Sequence, residues 1–211
     1  MWPRLPLPLS KQCVKRGRVL SQPTAIFVIG PAGSGKSTVA KQLTATLSAA
    51  YLDKDTLAGP FVRYAMGCAG EDPDARESNT YYREQLMPIE YKAIFDVGRD
   101  NLLLGQSVVI DAPFAVYLAD PAYLDARRED SQWPTAARAV IAKVVADPRL
   151  IRERIVTRGS DRDRWKLDNW DEFWTRYGST ECAWTGAEIV PIPNESGHGA
   201  DLRDVLAALS D

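Results

Sequence analysis

Short apolar runs alternate with longer amphipathic segments along most of the chain. Five of these runs are rich in β-branched residues and have the length of buried strands; they occupy residues 25–30, 50–52, 107–111, 139–145 and 188–192. Strands that read as continuous apolar runs are typical of a parallel sheet that is covered on both faces. The hydrophobic pattern therefore predicts an α/β fold built on a five-stranded parallel sheet.

Helical periodicity occurs in the segments that connect these runs. We predict helices at residues 38–47, 79–104, 148–157 and 201–209. In the first of them Val39, Leu43 and Leu47 fall on one face, and Pro88 marks a break or a new start in the second. The connection at residues 114–137 is longer than usual, and we expect it to carry a further helix. Helices of this number and spacing can cover both faces of the sheet.

The overall composition is that of an ordinary globular protein. The chain has 211 residues, of which 45% are hydrophobic and 26% charged, and a formal net charge of −2. This argues for one domain and against a protein that coats long nucleic acid or an anionic membrane. One histidine, His198, and three cysteines without CxxC spacing exclude the common zinc sites. No apolar run reaches the roughly 18 residues of a membrane span, and we expect a cytoplasmic protein.

Residues 1–24 differ from the rest of the chain, since they contain four prolines and five basic residues but no acidic residue. The apolar part is interrupted by prolines and precedes most of the basic residues, which is the reverse of a secretory signal. We expect either a flexible leader or a basic arm that contacts a partner. Residues 25–211 are expected to form the folded domain, and they carry all 28 acidic residues of the chain.

A glycine-rich segment follows the first predicted strand directly. It fits the pattern G-x-x-x-x-G-K-[ST] and consists of Gly30, Pro31, Ala32, Gly33, Ser34, Gly35, Lys36, Ser37 and Thr38. Between a strand and a helix, successive backbone N–H groups of such a loop can surround phosphate oxygens. Lys36 is expected to contact the β and γ phosphates, and the Ser37 hydroxyl to ligate Mg²⁺. The segment predicts a nucleotide site, and by itself it leaves kinases, nucleotide switches and motor proteins open.

Three aspartates follow predicted strands at the sheet edge where the phosphate loop lies. Asp53 and Asp55 come at the end of the second strand, and Asp111 ends the third. One carboxylate of the first pair can hold Mg²⁺ and the other can accept a proton from an attacking hydroxyl. Alternatively, both are solvated aspartates of a turn. Asp111 occupies a position for either a metal or a substrate contact, and the sequence leaves both roles open.

The combination of the phosphate loop with Asp53-Lys54-Asp55 resembles the small P-loop metabolite kinases, such as gluconate, shikimate and adenylylsulfate kinases. In looser form it is similar to chloramphenicol phosphotransferase and zeta-toxin-like AAA-type ATP-binding proteins. The N-K-x-D motif of common GTPases does not occur. The resemblance covers residues 25–211 in element order. It implies a three-layer P-loop nucleoside-triphosphate hydrolase fold, with a five-stranded parallel sheet of order 2-3-1-4-5 and an arginine-rich lid.

The resemblance also implies roles for individual residues. Asp55 is implied as the general base and a substrate contact, and Asp53 as a metal ligand. Arg63 lies one helical stretch later, where these kinases often place a substrate-binding arginine; a surface arginine is the alternative. Tyr82 lies in the region that covers the acceptor. Asn194 belongs to the loop after the fifth strand, which in these kinases runs past the adenine ring.

The segment between residues 149 and 166 is strongly basic. Its seven basic residues, against three acidic ones, are Arg149, Arg152, Arg154, Arg158, Arg162, Arg164 and Lys166. The prevalence of arginine favours bidentate phosphate contacts. The segment resembles the mobile lid of small kinases, here about residues 158–170, in which Arg158 and Arg162 close over the triphosphate. Arg164 is expected near the substrate. An exposed helix with ordinary charge pairing is the alternative.

Together these features predict an ATP- and Mg²⁺-dependent kinase that phosphorylates a hydroxyl group of a small molecule, either a metabolite or an antibiotic-like acceptor. A nucleoside, nucleotide or polynucleotide 5′-kinase is the alternative among enzymes, although the negative net charge disfavours long nucleic acid as a substrate. Outside the enzymes, the alternative is an ATP-binding regulatory or toxin-like module that acts on a protein partner. The residues do not identify the acceptor.

Overall fold

Five parallel strands form the sheet at the centre of the protein, in the order β2-β3-β1-β4-β5. The strands are β1 (Thr24–Ile29), β2 (Ala50–Asp53), β3 (Val108–Asp111), β4 (Arg138–Val145) and β5 (Glu188–Pro193). Both the parallel pairing and the strand order predicted from the sequence are confirmed. This order puts β1 at the centre, so the loop that follows β1 lies in the middle of the carboxyl edge of the sheet.

The structure is a computed structural model that describes residues 18–76, 78–195 and 200–210. Most of the leader predicted at residues 1–24 therefore lies outside the described residues, as does His198. Where the chain becomes described, the Arg18 backbone N–H donates to the Thr46 carbonyl oxygen (2.8 Å). The first strand begins at Thr24, one residue before the predicted start. The backbone of Arg162 is described, but its side chain lies outside the described part.

Helices connect the strands and cover both faces of the sheet. They are α1 (Lys36–Leu47), α2 (Lys54–Cys68), α3 (Met87–Leu103), α4 (Tyr123–Asp130), α5 (Pro148–Arg158), α6 (Arg164–Asp168), α7 (Trp170–Phe173) and α8 (Arg203–Ala208). A π-helical turn (Tyr82–Leu86) leads into α3, and a second one (Trp174–Gly178) follows α7. The helix expected in the connection at residues 114–137 is confirmed as α4. In the described ranges, no helix is long and apolar enough to cross a membrane.

The central strand is buried on both faces, which explains why its sequence is apolar without interruption. Ala25, Phe27 and Ile29 pack on the side covered by α3 and α4. Ile26 and Val28 pack on the opposite side, against α1 and α8. The two faces thus divide the core into two layers of hydrophobic contacts with the sheet between them.

Aromatic rings dominate the layer beneath α3 and α4. The Phe27 ring has its centroid 5.7 Å from that of Phe95, 5.8 Å from those of Phe114 and Trp184, and 6.0 Å from that of Trp133. Phe114 follows β3 by three residues, and its packing against the core therefore fixes the path of the chain beyond Asp111. This layer positions the carboxyl ends of β1 and β3, where the candidate site lies.

Candidate active site

The phosphate loop predicted from the sequence connects β1 to α1. The Ser34 backbone N–H donates to the Pro31 carbonyl oxygen (3.2 Å), which closes the turn, and α1 begins at Lys36. Helix α1 therefore directs its first N–H groups, with their partial positive charge, toward the same space as Lys36. A loop with this geometry is suited to bind an anion such as a phosphate group.

Glycine is required at two positions of this loop by close packing from behind. A Cβ atom at Gly33 would lie 2.8 Å from both the Ile151 carbonyl oxygen and Ile155 Cγ1 of α5. A Cβ atom at Gly35 would overlap the Asn194 side-chain nitrogen, and the Gly35 φ of 90° is in the left-handed region. The loop is thus pressed against α5 and against the residue that follows β5.

Two side chains anchor the phosphate loop through one carbonyl group. The Ser34 carbonyl oxygen accepts hydrogen bonds from Asn194 Nδ2 (2.8 Å) and from Arg154 Nη1 (3.3 Å). Arg154 Nη2 also donates to the Asn194 carbonyl oxygen (3.0 Å). Asn194 is buried, and in this structure it lies behind the loop. Its nucleotide contact stays a prediction, whereas its observed contact supports the loop. Arg154 was noted only as part of the basic segment, and its anchoring contact was missed.

A cavity of about 300 Å³ opens at the carboxyl ends of the central strands. The phosphate loop contributes Pro31, Ala32, Lys36 and Ser37 to its lining. Thr38 is exposed on the first turn of α1. On the lid side the lining includes Arg158, Asp163, Lys166, Phe173 and Tyr177. The opposite side, formed by α2, α3 and the loop after β3, contributes Asp55, Arg76, Tyr82, Met87, Tyr91 and Val116 among others. We call this second part the acceptor side.

Asp53 and Asp111 lie side by side between these two parts. They are paired in register on the neighbouring strands β2 and β3, and both line the cavity. The Tyr51 hydroxyl lies 3.0 Å from Asp53 Oδ2 and 2.8 Å from Asp111 Oδ2. Burial and the hydrogen bond to Asp111 raise the pKa of the Tyr51 phenol well above its usual value. Tyr51 therefore remains protonated, and its single O–H group is the hydrogen-bond donor that faces both carboxylates.

These residues fit a hydrated magnesium ion. Asp111 is buried, and its Oδ1 atom has no hydrogen-bond partner within the described part of the chain. An unpartnered carboxylate oxygen beside a cavity is a ready ligand for a hard cation or for its bound water. No group of three or more carboxylate, cysteine or histidine side chains suited to a metal occurs among the described residues. Mg²⁺ does not need one, because it commonly keeps several waters and uses one or two carboxylates with substrate phosphates.

Substitution of Tyr51 by Phe tests the contact between these carboxylates. The variant leaves the buried Asp111 without the Tyr51 donor, and we expect the free energy of unfolding to fall by about 1–2 kcal/mol. A cation neutralises the pair, so the deficit should shrink when Mg²⁺ and ATP are added. Urea unfolding with and without these ligands measures both values. Tyr64→Phe, at an exposed tyrosine of α2, is the matched control. An equal deficit in both conditions would contradict the expectation.

Asp55 lies in the first turn of α2 with 45% of its side chain exposed, and it lines the cavity. Its Oδ1 atom is 3.1 Å from Lys54 Nζ. The N-terminus of α2 is fixed by Asp53, whose Oδ1 accepts from the Thr56 backbone N–H (2.9 Å). The two predicted aspartates thus occupy different places: Asp53 caps α2 beside Asp111, and Asp55 faces the acceptor side.

A buried ionic cluster lies directly behind Asp55. Glu90 Oε2 is 3.2 Å from Lys54 Nζ and accepts a hydrogen bond from the Tyr82 hydroxyl (2.7 Å). Arg76 Nη1 lies 3.6 Å from Glu90 Oε1. Burial by itself lowers the pKa of Lys54, but the neighbouring Tyr82, Asp55 and Glu90 outweigh this, and the pKa lies above its usual value. Sequence reasoning selected Tyr82 but missed Lys54, Arg76 and Glu90.

In the lid, one buried carboxylate holds two cations at the cavity. Asp163 Oδ2 accepts from Arg158 Nε (2.8 Å), and Asp163 Oδ1 lies 3.2 Å from Lys166 Nζ. Asp163 has only 1% of its side chain exposed. All three residues line the cavity. Arg158 therefore lies at the cavity that also contains the phosphate loop, and Lys166 is a second cation there. The helical break expected after Arg158 is present at Gly159, whose φ is 58°.

Two predicted substrate residues lie outside the lining described for the cavity. Arg63 pairs with Asp74 (2.6 Å) and is 54% exposed, and Arg164 pairs with Asp161 (3.1 Å) and is 74% exposed. Their substrate contacts stay predictions. Neither side chain lies with Asp55 in the lining of the cavity. Arg76 occupies the acceptor side instead. The resemblance to small kinases implied Arg63, whereas the loop after α2 brings a different arginine, Arg76, to the cavity.

Solved structures with the same architecture include several kinases. A provisionally assigned kinase from Chloroflexus aurantiacus j-10-fl has a TM-score of 0.61 at 16% identity, over 89% of this chain and 97% of that one. A sugar kinase from Janibacter sp. HTCC2649 has a TM-score of 0.54 at 14% identity, over 82% and 85%. A gluconokinase from Sinorhizobium meliloti 1021 has a TM-score of 0.51 at 18% identity, over 91% and 93%. At identities this low, the structural similarity shows a shared fold alone.

The fold and the phosphate loop at the sheet edge define a nucleotide-binding domain with the architecture of the P-loop kinases. At the level of sequence, the AAA domain family (AAA_33) matches residues 26–179. The chain belongs to this family. The match runs from β1 through the lid and includes the phosphate loop, the three aspartates and the basic segment. Among curated protein sequences, none matches this chain significantly.

Proposed function

We propose that the protein is an ATP- and Mg²⁺-dependent kinase that transfers the γ-phosphoryl group to a hydroxyl group of a small molecule. One observation carries the proposal: the phosphate loop and Asp55 open onto the same cavity, with Asp53 and Asp111 between them. A nucleotide bound at the loop would direct its terminal phosphate toward Asp55. The architecture shared with solved kinases supports phosphoryl transfer over a purely structural role.

In the proposed reaction the acceptor oxygen forms a bond to the γ phosphorus, and the bond between that phosphorus and the β–γ bridging oxygen breaks. ADP leaves with the bridging oxygen, and Asp55 takes the proton of the attacking hydroxyl. Lys36 and the loop N–H groups hold the phosphates. Arg158 and Arg162 neutralise the charge on the transferred group, and Lys166 shares Asp163 with Arg158. Because the reaction consumes ATP, we expect the protein to act in the cytoplasm.

Ser37, Asp53 and Asp111 would hold the magnesium ion, directly or through water. When bound, the ion supplies positive charge to the phosphate oxygens and orients the triphosphate. Asp111 contributes its unpartnered Oδ1 atom, and Tyr51 keeps the second oxygen in place. In this assignment Asp111 is a metal ligand and not a substrate contact, because it lies beside Asp53, whereas Asp55 faces the acceptor side.

A screen of pooled hydroxylated compounds tests the proposed function. Metabolites, nucleosides, aminoglycosides and other hydroxylated antibiotics are incubated with ATP and Mg²⁺, and ADP release is measured together with the mass of the products. The expected result is one class of compound that gains a phosphoryl group on oxygen. Phosphorylation of a nucleoside or an oligonucleotide end would favour the 5′-kinase alternative. ATP binding without turnover in any pool would overturn the proposal and favour a regulatory module.

A further inference from the structure

The acceptor side contains cations whose charges are matched by carboxylates. Lys54 lies between Glu90 and Asp55, and Arg76 faces Glu90 from the other side. Glu90 is itself 2% exposed, so it is a fixed part of the protein and not a group that an acceptor displaces. Its Oε2 atom accepts hydrogen bonds from Lys54 and from the Tyr82 phenol, whereas Oε1 faces Arg76 at 3.6 Å without a hydrogen bond in the described part of the chain.

This matching leaves Lys54 and Arg76 with little net charge for an anionic acceptor. Recognition of a carboxylate or phosphate usually relies on an arginine that presents its planar donors to the ligand. Here the Arg76 guanidinium lies 3.6 Å from Glu90 and over the Tyr82 ring, at 5.6 Å from its centroid. Arg83, which also lines this side, donates to the Thr80 hydroxyl (3.2 Å). An anion would in addition meet the carboxylates of Asp55 and Asp74, which line the same cavity.

The rest of the acceptor side is apolar. Met87, Tyr91, Pro113, Ala115 and Val116 line the cavity, and the Tyr91 ring adjoins the ionic cluster, with Lys54 Nζ 5.7 Å from its centroid. Val116 has 44% of its surface exposed, which leaves an aliphatic side chain in water at this cavity. Tyr91 is almost fully buried and packs edge-on against Tyr117, so this wall is rigid. A ligand that covers Val116 gains hydrophobic burial.

Building on the proposed function, we propose that Glu90 makes this cavity selective for an acceptor without negative charge, namely a hydroxylated molecule with an apolar ring face. Such a molecule places its ring on the wall formed by Met87, Tyr91 and Val116. Its reacting hydroxyl points to Asp55. Glu90 is a specificity-determining residue in this assignment, because together with Asp55 it balances the two positive charges of Lys54 and Arg76 that an anion would require.

Matched pairs of acceptors test the charge selectivity directly. Each hydroxylated ring compound is used as its carboxamide and as its carboxylate, for example 4-hydroxycyclohexanecarboxamide and 4-hydroxycyclohexanecarboxylate. The rate of ATP-dependent phosphorylation is measured for both members. With the wild-type protein we expect the carboxamides to react at least about 10-fold faster at equal concentration. Equal rates, or faster reaction of the carboxylates, would overturn the inference and leave the proposed kinase function intact.

The Glu90→Gln variant then tests the residue itself. It keeps the size of the side chain but removes the charge between Lys54 and Arg76, and we expect the carboxamide-to-carboxylate rate ratio to fall about 10-fold or more. Asp100→Asn, at an exposed carboxylate of the same helix, should leave the ratio unchanged. ATP binding and circular dichroism verify the fold of each variant, and the wild-type ratio remains a test if Glu90→Gln does not fold. An unchanged ratio in a folded Glu90→Gln protein would refute the role of Glu90. If no member of any pair is phosphorylated although ATP binds, the proposed function fails, and with it this inference.

Discussion

Replacement of Asp55 by Asn should lower the rate of phosphoryl transfer by about 100-fold or more, while ATP binding stays unchanged. Asp55 faces the acceptor side with nearly half of its side chain exposed, and its Oδ1 atom pairs with Lys54. An amide has the same shape as the carboxylate but cannot accept the proton of the attacking hydroxyl. The loss should therefore appear in kcat and much less in KM.

The measurement is steady-state ADP release with an acceptor found in the screen, together with ATP binding by calorimetry. Asp74→Asn provides the matched control, because Asp74 lines the same cavity but is paired with Arg63 at its edge. It should retain most of the activity. If Asp55→Asn turns over as fast as the wild type, Asp55 is not the base and the assignment of the proton acceptor is wrong.

Replacement of Gly35 by Ala should weaken ATP binding by about 100-fold or more. The added methyl group would overlap the Asn194 side chain, and alanine is strained at a φ of 90°. Relief of the overlap requires Asn194 to move away and to give up its hydrogen bond to the Ser34 carbonyl group. The loop would then lose both its shape and its anchor, which together cost about 3 kcal/mol, or about a factor of 100 in affinity.

Calorimetric titration with ATP measures this loss, and Gly59→Ala is its control. A Cβ atom at Gly59, in the interior of α2, meets no described atom within 4 Å outside the helix backbone. Alanine in a helix interior is favoured over glycine, so this variant should bind ATP normally and gain about 0.5–1 kcal/mol in stability. Normal ATP affinity in Gly35→Ala would show that the loop can open without cost, and the anchoring contact of Asn194 would then have no role.

The parts of the protein that could be predicted are those encoded by neighbouring residues. The strands, the phosphate loop and the aspartates at the strand ends each have a local pattern, and the parallel order follows once the strands alternate with helices. Asp53 and Asp111 could be expected to meet because parallel strands end at one edge of the sheet. Helix α2 is less evident from periodicity, since Phe61 and Tyr64 on its surface are exposed and obscure its apolar stripe.

The missed parts depend on pairs that are distant in the sequence. Arg154 and Asn194 contact Ser34 across 120 and 160 positions, and Lys54 contacts Glu90 across 36. Glu90 on an amphipathic helix looks like a surface residue until the cations opposite it are known. The same holds for Asp163, which was counted only as one of three acidic residues in a basic segment. Pairing of buried charges is a tertiary property, and single-sequence patterns do not carry it.

The contacts behind the phosphate loop also have a consequence for the proposed lid, since they fix the residues from which it would move. Helix α5 is held against Gly33 by Ile151 and Ile155, so it is joined to the nucleotide site as one rigid unit. Gly159, whose φ is 58°, is the first residue beyond that unit and is the position where the proposed lid would hinge. The ion pair between Arg158 and Asp163 connects the residues on either side of Gly159. Arg158 is the last residue of α5, and Asp163 lies in the segment proposed as the lid. Opening of the proposed lid would separate this pair and expose a buried carboxylate, so the closed arrangement is favoured even without a nucleotide.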